Sequence, residues 1–229
     1  MSIKLIAFDF DGVIPVEESP LFLFEQLGKK QESDALAREF YSGLAGAKNA
    51  KERDLVPGKV WEKSFALYQQ FPIRKLRETS RKLQYISGSK EIFNYCRENG
   101  IITAILSATI KPILAWSLSS RNISPDALIA SECTIKEGRL HKLTKVVSPE
   151  TKRRELESLL RSNKFKPAEC LVVGDSFSEV PMFEFVGKEN SVAFNYQQDL
   201  GPHCGHLLFK QGDPERDLRK IIDVIENKK

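Results

Sequence analysis

The sequence contains few of the residues that build metal clusters and disulfide frameworks, with four cysteines and three histidines among 229 residues. The cysteines lie far apart and form no C-x-x-C pair. We therefore expect neither a zinc site nor disulfides, and a reducing cytoplasm fits this pattern. No apolar run approaches the roughly 20 residues that span a bilayer, and the first apolar run carries an acidic pair that a signal peptide would lack. The chain is expected to be cytoplasmic, without a membrane partner.

The positive charge is unevenly distributed along the chain. The formal net charge is +4, yet residues 28–90 alone carry 14 Lys and Arg against 7 Asp and Glu. Such a balance fits either an ordinary solvated helical surface or a field that attracts anionic substrates. The basic residues are dispersed and no recognition motif accompanies them, so nucleic acid is not an expected partner. The length fits one domain, or one domain with an insertion, as a monomer or homodimer.

Two sequence patterns divide the chain at Ser87. Residues 19–86 have the apolar spacing of helices, whereas short apolar runs alternate with helices from Ser87 onward. This alternation predicts an α/β fold with a doubly wound, parallel, Rossmann-like sheet. We predict a core domain of residues 1–14 and 87–229. Residues 15–86 are predicted to form a helical cap domain inserted after the first strand.

Turn and capping residues mark the predicted boundaries. Ser19-Pro20 and Asp213-Pro214 each begin a helix, and Pro57-Gly58 separates two helices. Glu137-Gly138 is the predicted turn of a hairpin over residues 133–141. The remaining predicted helices lie at 34–44, 60–71, 73–83, 89–99, 112–119 and 148–162, and the remaining strands at 101–106, 128–130, 170–173, 191–194 and 207–209.

Polar side chains follow three of the predicted buried strands. Asp9 and Asp11 come at the end of the first strand, and Ser107 and Asp175 each follow a later one. Because ligands bind at the carboxyl ends of the strands in open α/β sheets, these side chains are expected to converge there. Carboxylates that lie close together repel each other unless a cation or a shared proton compensates. Hard oxygen ligands without nearby His or Cys favour Mg²⁺ over zinc.

Four motifs resemble those of the haloacid dehalogenase-like (HAD) superfamily, and within it the phosphoserine-phosphatase-like branch with a small helical cap. They are Asp9-Phe10-Asp11-Gly12, Ile105-Leu106-Ser107, Lys152, and Gly174-Asp175 followed by Glu179. Shorter stretches at 137–140, 192–195 and 217–219 are similar to the same branch. The resemblance covers nearly the whole chain. It implies the HAD fold and a Mg²⁺-dependent phosphatase acting on a small phosphorylated metabolite.

The resemblance also implies a role for each residue. Asp9 would attack phosphorus and form an aspartyl-phosphate, while Asp11 would protonate the leaving alcohol and then activate water. Mg²⁺ would bind the Asp9 carboxylate, the Asp11 backbone carbonyl and Asp175. Glu179 would join these ligands directly or through water. The phosphate-binding residues would be Gly12, Ser107, Ala108 and Lys152.

The cap segment departs from the pattern of phosphoserine phosphatases. Glu18 stands where those enzymes place a Glu that contacts the substrate amine. Their cap arginine, which binds the substrate carboxylate, is replaced: the alignment places Ser64 there with Lys63 beside it, and Arg53 is a further candidate. Lysine does not reproduce the bidentate fork of arginine. L-phosphoserine is therefore one candidate substrate and not the default.

The sequence shows further departures from the motifs of the branch, and it is compatible with other functions. Val13 and Ala108-Thr109 stand where the branch often has Thr and Gly-Gly, and Glu179 replaces an Asp. Phosphotransfer to an alcohol is an alternative within the same chemistry. A non-catalytic binding protein that keeps the HAD fold is the alternative from another class. Haloacid dehalogenation is least expected, because it needs neither a metal nor a second acid at Asp11.

Overall fold

Seven strands form a single sheet in the computed structural model, which describes residues 2–46 and 50–228 and all their side chains except those of residues 44, 45 and 50–59. The strands are β1 (Leu5–Phe8), β2 (Ile102–Ile110), β3 (Ala127–Lys136), β4 (Arg139–Lys145), β5 (Cys170–Gly174), β6 (Ser191–Tyr196) and β7 (His206–Lys210). Their order is β4-β3-β2-β1-β5-β6-β7, and all neighbours pair in parallel except β3 and β4. The predicted α/β fold with a mostly parallel sheet is confirmed.

The helices fall into two groups along the chain. The first group lies between β1 and β2 and consists of α1 (Ser19–Gln26), α2 (Lys30–Gly46), α3 (Ala50–Gln69), α4 (Ile73–Ser80) and α5 (Ser89–Glu98). The second group alternates with the later strands and consists of α6 (Lys111–Ser120), α7 (Pro149–Ser162), α8 (Val180–Val186) and α9 (Lys220–Glu226). None of these helices, within the described ranges, is both long and apolar enough to cross a membrane.

Helices cover both faces of the sheet. Side chains alternate along a strand, so Ile6 and Phe8 pack into one apolar cluster while Leu5 and Ala7 pack into another. The first cluster includes residues of α5, α6 and α9, and the second includes residues of α7 and α8. Phe8 contacts Phe93 of α5 with ring centroids 5.2 Å apart. Burial on both faces explains why β1 is a continuous apolar run.

The register of the central strands brings the predicted site residues together. Phe8 lies opposite Ile105 of β2 on one side and Val173 of β5 on the other. Asp9 continues this ladder, since its amide donates to the carbonyl of Val173 at 2.9 Å. The acids that follow β1 and β5 therefore emerge at the same edge of the sheet.

Some predicted boundaries are wrong. Helix α3 continues through Pro57-Gly58, because helices in proteins are held mainly by the packing of their apolar face and Trp61, Phe65 and Tyr68 of α3 are buried. The last helix begins at Lys220 and not at Asp213-Pro214. Asp213 instead forms a local turn in which its carboxylate accepts from the Glu215 amide at 2.9 Å.

Two further boundaries differ from the predictions. Helix α2 begins at Lys30 and not at Asp34. Strand β2 continues past Ser107 to Ile110, and its pairing with β3 is irregular after Leu106. Irregularities of this kind bend a strand and re-aim its side chains. The hairpin turns at Glu137 and Gly138 as predicted, both at positive φ. Its strands are longer than predicted, and the separate strand predicted at 128–130 is part of β3.

The segment that leaves the sheet after β1 pairs with the segment that returns to the sheet before α5. The Val16 amide donates to the Gln84 carbonyl at 2.8 Å, and the Ile86 amide donates to the Ile14 carbonyl at 2.9 Å. These paired linkers enclose α1 to α4, the segment predicted as a cap domain.

Candidate active site

A buried lysine lies between two buried carboxylates at the carboxyl edge of the sheet. The Lys152 ammonium, on the first turn of α7, donates to Asp9 Oδ1 at 2.9 Å and to Glu179 Oε1 at 2.7 Å. The Lys152 side chain is 3% exposed and those of Asp9 and Glu179 are 8% and 0% exposed. Ser148 begins α7 by accepting from the Thr151 amide, which sets the helix so that Lys152 faces the sheet. Burial would lower the pKa of Lys152, but Asp9 and Glu179 raise it above its usual value, so the ammonium stays protonated.

Glu179 is held by several donors at once. Oε1 accepts from Lys152 and from the Ser178 hydroxyl, and Oε2 accepts from the Ser176 amide at 3.2 Å and the Ser176 hydroxyl at 3.0 Å. Burial alone would raise the pKa of Glu179, but Lys152 and the serine hydrogen bonds hold it below its usual value. Glu179 is therefore an anion that pairs with Lys152.

Asp9, Asp175 and Glu179 form a cluster of buried acids. One carboxylate oxygen of each lies within 4.8 Å of the others. Burial, followed by repulsion from Glu179, raises the pKa values of Asp9 and Asp175 well above their usual range. A divalent cation would relieve this repulsion, and three carboxylates without His or Cys suit Mg²⁺. The residues present fit the predicted metal, while the contribution of the Asp11 carbonyl stays a prediction.

Gly12 leaves room for the Asp175 carboxylate. Its φ of +73° is in the left-handed region, and a Cβ at this position would lie 2.1 Å from Asp175 Oδ2. The Gly12 carbonyl accepts from Asn195 Nδ2 at 2.7 Å. Asn195 is buried at the end of β6 and also has a positive φ of 56°. It therefore fixes the loop that carries Asp9 and Asp11, a role that the sequence analysis missed.

The Asp11 carboxylate accepts hydrogen bonds from different residues than the Asp9 carboxylate does. Its Oδ1 accepts from the Ser19 amide at 2.7 Å, and its Oδ2 accepts from the Thr109 hydroxyl at 2.6 Å. The Thr109 amide in turn donates to the Ser107 hydroxyl at 3.0 Å. Burial raises the pKa of Asp11, while the hydrogen bonds from Ser19 and Thr109 lower it. In the sequence Thr109 stands out only as a departure from Gly-Gly, and no pattern there predicts its contact with Asp11.

These polar groups form one end of a cavity of about 110 Å³. The sheet-edge residues that line it are Asp9, Asp11, Ser107, Ala108, Thr109, Lys152, Asp175, Ser176 and Ser178. Residues before and on α1 to α3 line the other end and are mostly apolar: Glu18, Pro20, Leu21, Phe24, Ser33, Leu36, Ala37, Phe40, Tyr41, Val60, Trp61 and Ser64. The structure thus brings the sheet edge and the predicted cap segment together around one space.

Of the residues predicted to contact the substrate, one lines the cavity and another lies on the surface. Glu18 lines the cavity and accepts from the Tyr41 hydroxyl at 2.6 Å, and burial and the nearby Asp11 raise its pKa to about 7. Lys63 is not among the described residues that line the cavity. It donates to the Glu39 carboxylate at 2.6 Å on the exposed surface, so the structure does not bring it to the site. The side chain of Arg53 lies outside the described part of the chain.

Comparison with known proteins identifies the class. Residues 6–184 match the family model of the haloacid dehalogenase-like hydrolases, so the chain belongs to this family. It is 23% identical to the phosphoserine phosphatase of Halobacterium salinarum over 207 residues, covering 89% of this chain and 92% of that protein. It is also 23% identical to the phosphoserine phosphatase of Methanocaldococcus jannaschii over 225 residues, covering 97% and 98% of the two chains.

Solved structures agree on the fold. A substrate-bound phosphoserine phosphatase complex superposes with a TM-score of 0.78 at 19% identity, covering 97% of this chain and 98% of that one. A HAD family hydrolase from Salmonella enterica serovar Typhi gives a TM-score of 0.82 at 16% identity, covering all of this chain and 73% of that one. The predicted HAD hydrolase of the phosphoserine-phosphatase-like branch is confirmed, as is its classification as a phosphoric monoester hydrolase.

Proposed function

We propose that this chain is a Mg²⁺-dependent phosphomonoesterase that hydrolyses a small phosphorylated metabolite through a phosphorylated Asp9. The observation that carries the proposal is the position of Asp9, buried at the end of β1 between Lys152 and the other acids of the cluster. Its Oδ1 accepts from the Phe10 amide at 2.8 Å as well as from Lys152. These contacts hold the carboxylate in one orientation toward the cavity, as a nucleophile requires.

The two carboxylates of the first motif divide the chemistry. Asp9 attacks phosphorus, and the bond from phosphorus to the leaving alcohol breaks as Asp11 gives that oxygen a proton. Water then attacks the phosphorus of phospho-Asp9, Asp11 takes its proton, and phosphate and free Asp9 result. Burial raises the pKa of Asp11, which helps it to carry this proton. Thr109 and the Ser19 amide hold Asp11 in place between the steps.

The residues around Asp9 and Asp11 would neutralise the negative charges of the phosphate and of the acids. Asp9, Asp175 and, directly or through water, Glu179 would hold Mg²⁺, which offsets the repulsion between the acids and the phosphate. Lys152 and Ser107 would bind the phosphoryl oxygens together with the loop residues Gly12 and Ala108. Residues 15–86 would act as a cap that excludes water during transfer, which the paired linkers and the cap side of the cavity support. A cytoplasmic location is part of the proposal, and the four free cysteines support it.

Replacement of the nucleophile tests the proposal. Asp9→Asn keeps the size of the side chain, so the variant should fold while turnover of 4-nitrophenyl phosphate with Mg²⁺ falls at least about a thousandfold, on the scale of the accelerations that enzymes provide. Asp126→Asn is a matched control, since Asp126 pairs with Thr103 away from the cavity lining. Folded Asp9→Asn protein with unchanged turnover would contradict the mechanism. Product analysis with added alcohol separates hydrolysis from phosphotransfer.

A further inference from the structure

The cap side of the cavity is mostly a wall of apolar side chains, with Glu18, Ser33, Tyr41 and Ser64 as its polar residues. Leu21 and Phe24 come from α1, Leu36 and Phe40 from α2, and Trp61 from α3. Phe24 and Trp61 are buried, at 1% and 8% exposed, and Phe24 stacks on Tyr68 with ring centroids 4.3 Å apart. This wall faces the group that is attached to the phosphate, because Asp9, Asp11, Asp175 and Lys152 lie at the sheet edge.

Acidic residues outnumber basic residues in the lining of the cavity. Among the described residues that line the cavity, Asp9, Asp11, Glu18 and Asp175 are acids, and Lys152 is the one Lys or Arg. The Lys152 ammonium already donates to Asp9 and Glu179. A second anionic group on the leaving group would therefore be buried at the apolar end without a cation from the described residues, which is costly.

The position predicted for the substrate-binding arginine reinforces this point. Ser64 lines the cavity and is 6% exposed, so this position does face the substrate space, but its side chain carries no charge. Its neighbour Lys63 pairs with Glu39 on the exposed surface instead. Among the described residues, neither of the two supplies a cation at the apolar end.

We infer that the substrate is a phosphomonoester of a small apolar alcohol, because an apolar wall lies opposite the acids of the sheet edge. This inference rests on the proposed phosphatase function. The leaving group is a short branched alkyl chain and carries no carboxylate. The whole cavity measures about 110 Å³ and must also hold the phosphate, whereas an apolar cavity of roughly 150 Å³ accommodates benzene alone, so only a few carbon atoms fit. Each methylene buried against the wall is expected to raise kcat/KM about fourfold.

A pair of isosteric esters tests the inference. In 3-methylbutyl phosphate and 3-phosphooxypropanoate, an isopropyl group and a carboxylate of similar shape end the same two-carbon chain. The wild-type protein with Mg²⁺ should hydrolyse the first with a kcat/KM at least about tenfold higher, and O-phospho-L-serine should behave like the second. Equal or better turnover of the carboxylated esters would overturn the inference. In that case hydrolysis of 4-nitrophenyl phosphate would leave the phosphatase proposal intact, whereas no turnover of any ester would contradict both.

A variant that installs a cation provides the converse test. Leu36 is half-buried and lines the cavity, so Leu36→Arg places a guanidinium at the apolar end without displacing a fully buried side chain. This variant should reverse the preference, with kcat/KM falling for 3-methylbutyl phosphate and rising for 3-phosphooxypropanoate. Leu207→Arg is the matched control, because Leu207 is 46% exposed on β7 and is not part of the lining. An unchanged ratio in folded Leu36→Arg protein would count against the inferred position of the leaving group.

Discussion

The Thr109 hydroxyl donates a hydrogen bond of 2.6 Å to Asp11 Oδ2 across 98 residues of sequence. Both residues line the cavity, and Thr109 itself is fully buried. The amide of Thr109 also donates to Ser107, so one short segment of β2 contacts the proposed acid and the proposed phosphate-binding hydroxyl. In the proposed mechanism Asp11 alternately gives and takes a proton, and this hydrogen bond fixes the orientation of its carboxyl group.

We predict that Thr109→Val lowers kcat about 10-fold to 100-fold with little change in KM. A hydrogen bond to a charged group contributes about 1.5–3 kcal/mol, and valine keeps the shape of threonine without the hydroxyl. Because the Thr109 hydrogen bond lowers the pKa of Asp11, its loss should move the corresponding limb of the pH–rate profile to higher pH. Thr109→Ser, which retains the hydroxyl, should keep most of the activity. A valine variant with wild-type kcat and pH profile would show that Thr109 has no positioning role.

The acid cluster predicts that Mg²⁺ stabilises the folded protein. At a concentration about a hundredfold above its Kd, a ligand adds about 2.7 kcal/mol, and for a chain of this size each kcal/mol corresponds to roughly 2–4 °C in Tm. We therefore expect a rise of about 5–10 °C in thermal unfolding, which Asp175→Asn should largely abolish. An equal rise in wild type and Asp175→Asn would mean that the cation binds elsewhere.

Gly12 should be as important for this cation as Asp175. In Gly12→Ala the new Cβ would lie 2.1 Å from Asp175 Oδ2, so the carboxylate must move. Gly28→Ala is a matched control, since Gly28 has nearly the same φ, +74°, with nothing within 4 Å of the added Cβ. Both variants carry the strain of a positive φ, but only Gly12→Ala should lose the Mg²⁺-dependent rise in Tm. A retained rise in Gly12→Ala would refute the proposed packing of Asp175.

The Lys152–Glu179 pair predicts a strong energetic coupling. In Lys152→Met the Glu179 carboxylate stays buried without its cation, and removing one partner of such a pair costs about 3–5 kcal/mol. The double variant Lys152→Met/Glu179→Gln removes both charges and should recover part of this loss. Urea unfolding in the presence of EDTA measures each free energy without a contribution from bound metal. Losses that simply add in the double variant would show that the two side chains are not coupled.

The sequence was sufficient to predict Asp9, Asp175 and Lys152 as neighbours, because parallel strands end at the same edge and α7 begins there. It was not sufficient for Tyr41 or Leu36, which reach the cavity only through the packing of α2 against the other helices. Lys63 illustrates the same limit, since the partner that draws it to the surface, Glu39, lies 24 residues away on another helix. The apolar character of the cap side therefore became visible only in three dimensions.

Asp217 provides a prediction away from the cavity. Its carboxylate accepts from Arg219 Nε at 3.0 Å and from the Ser87 hydroxyl at 3.2 Å, where the chain returns from the cap segment to the sheet. The hydrogen bond from Arg219 is the main cause that lowers its pKa to about 2, against about 3.9 in an unfolded chain. A lowered pKa means that Asp217 stabilises the fold above about pH 4 and loses this contribution as the pH falls toward 2.

We therefore expect Asp217→Asn to lower the free energy of unfolding by about 1–2 kcal/mol at pH 7. The two-unit shift corresponds to at most about 2.7 kcal/mol, and solvent around the exposed Arg219 side chain screens part of it. At pH 3, midway between the two pKa values, the difference between wild type and variant should be about half as large. Arg219→Gln should cause a similar loss at pH 7, and the double variant should add little, which urea unfolding at both pH values measures. A difference that grows on acidification would contradict the assigned pairing, because a carboxylate held as an anion can only lose stabilising free energy as it is protonated.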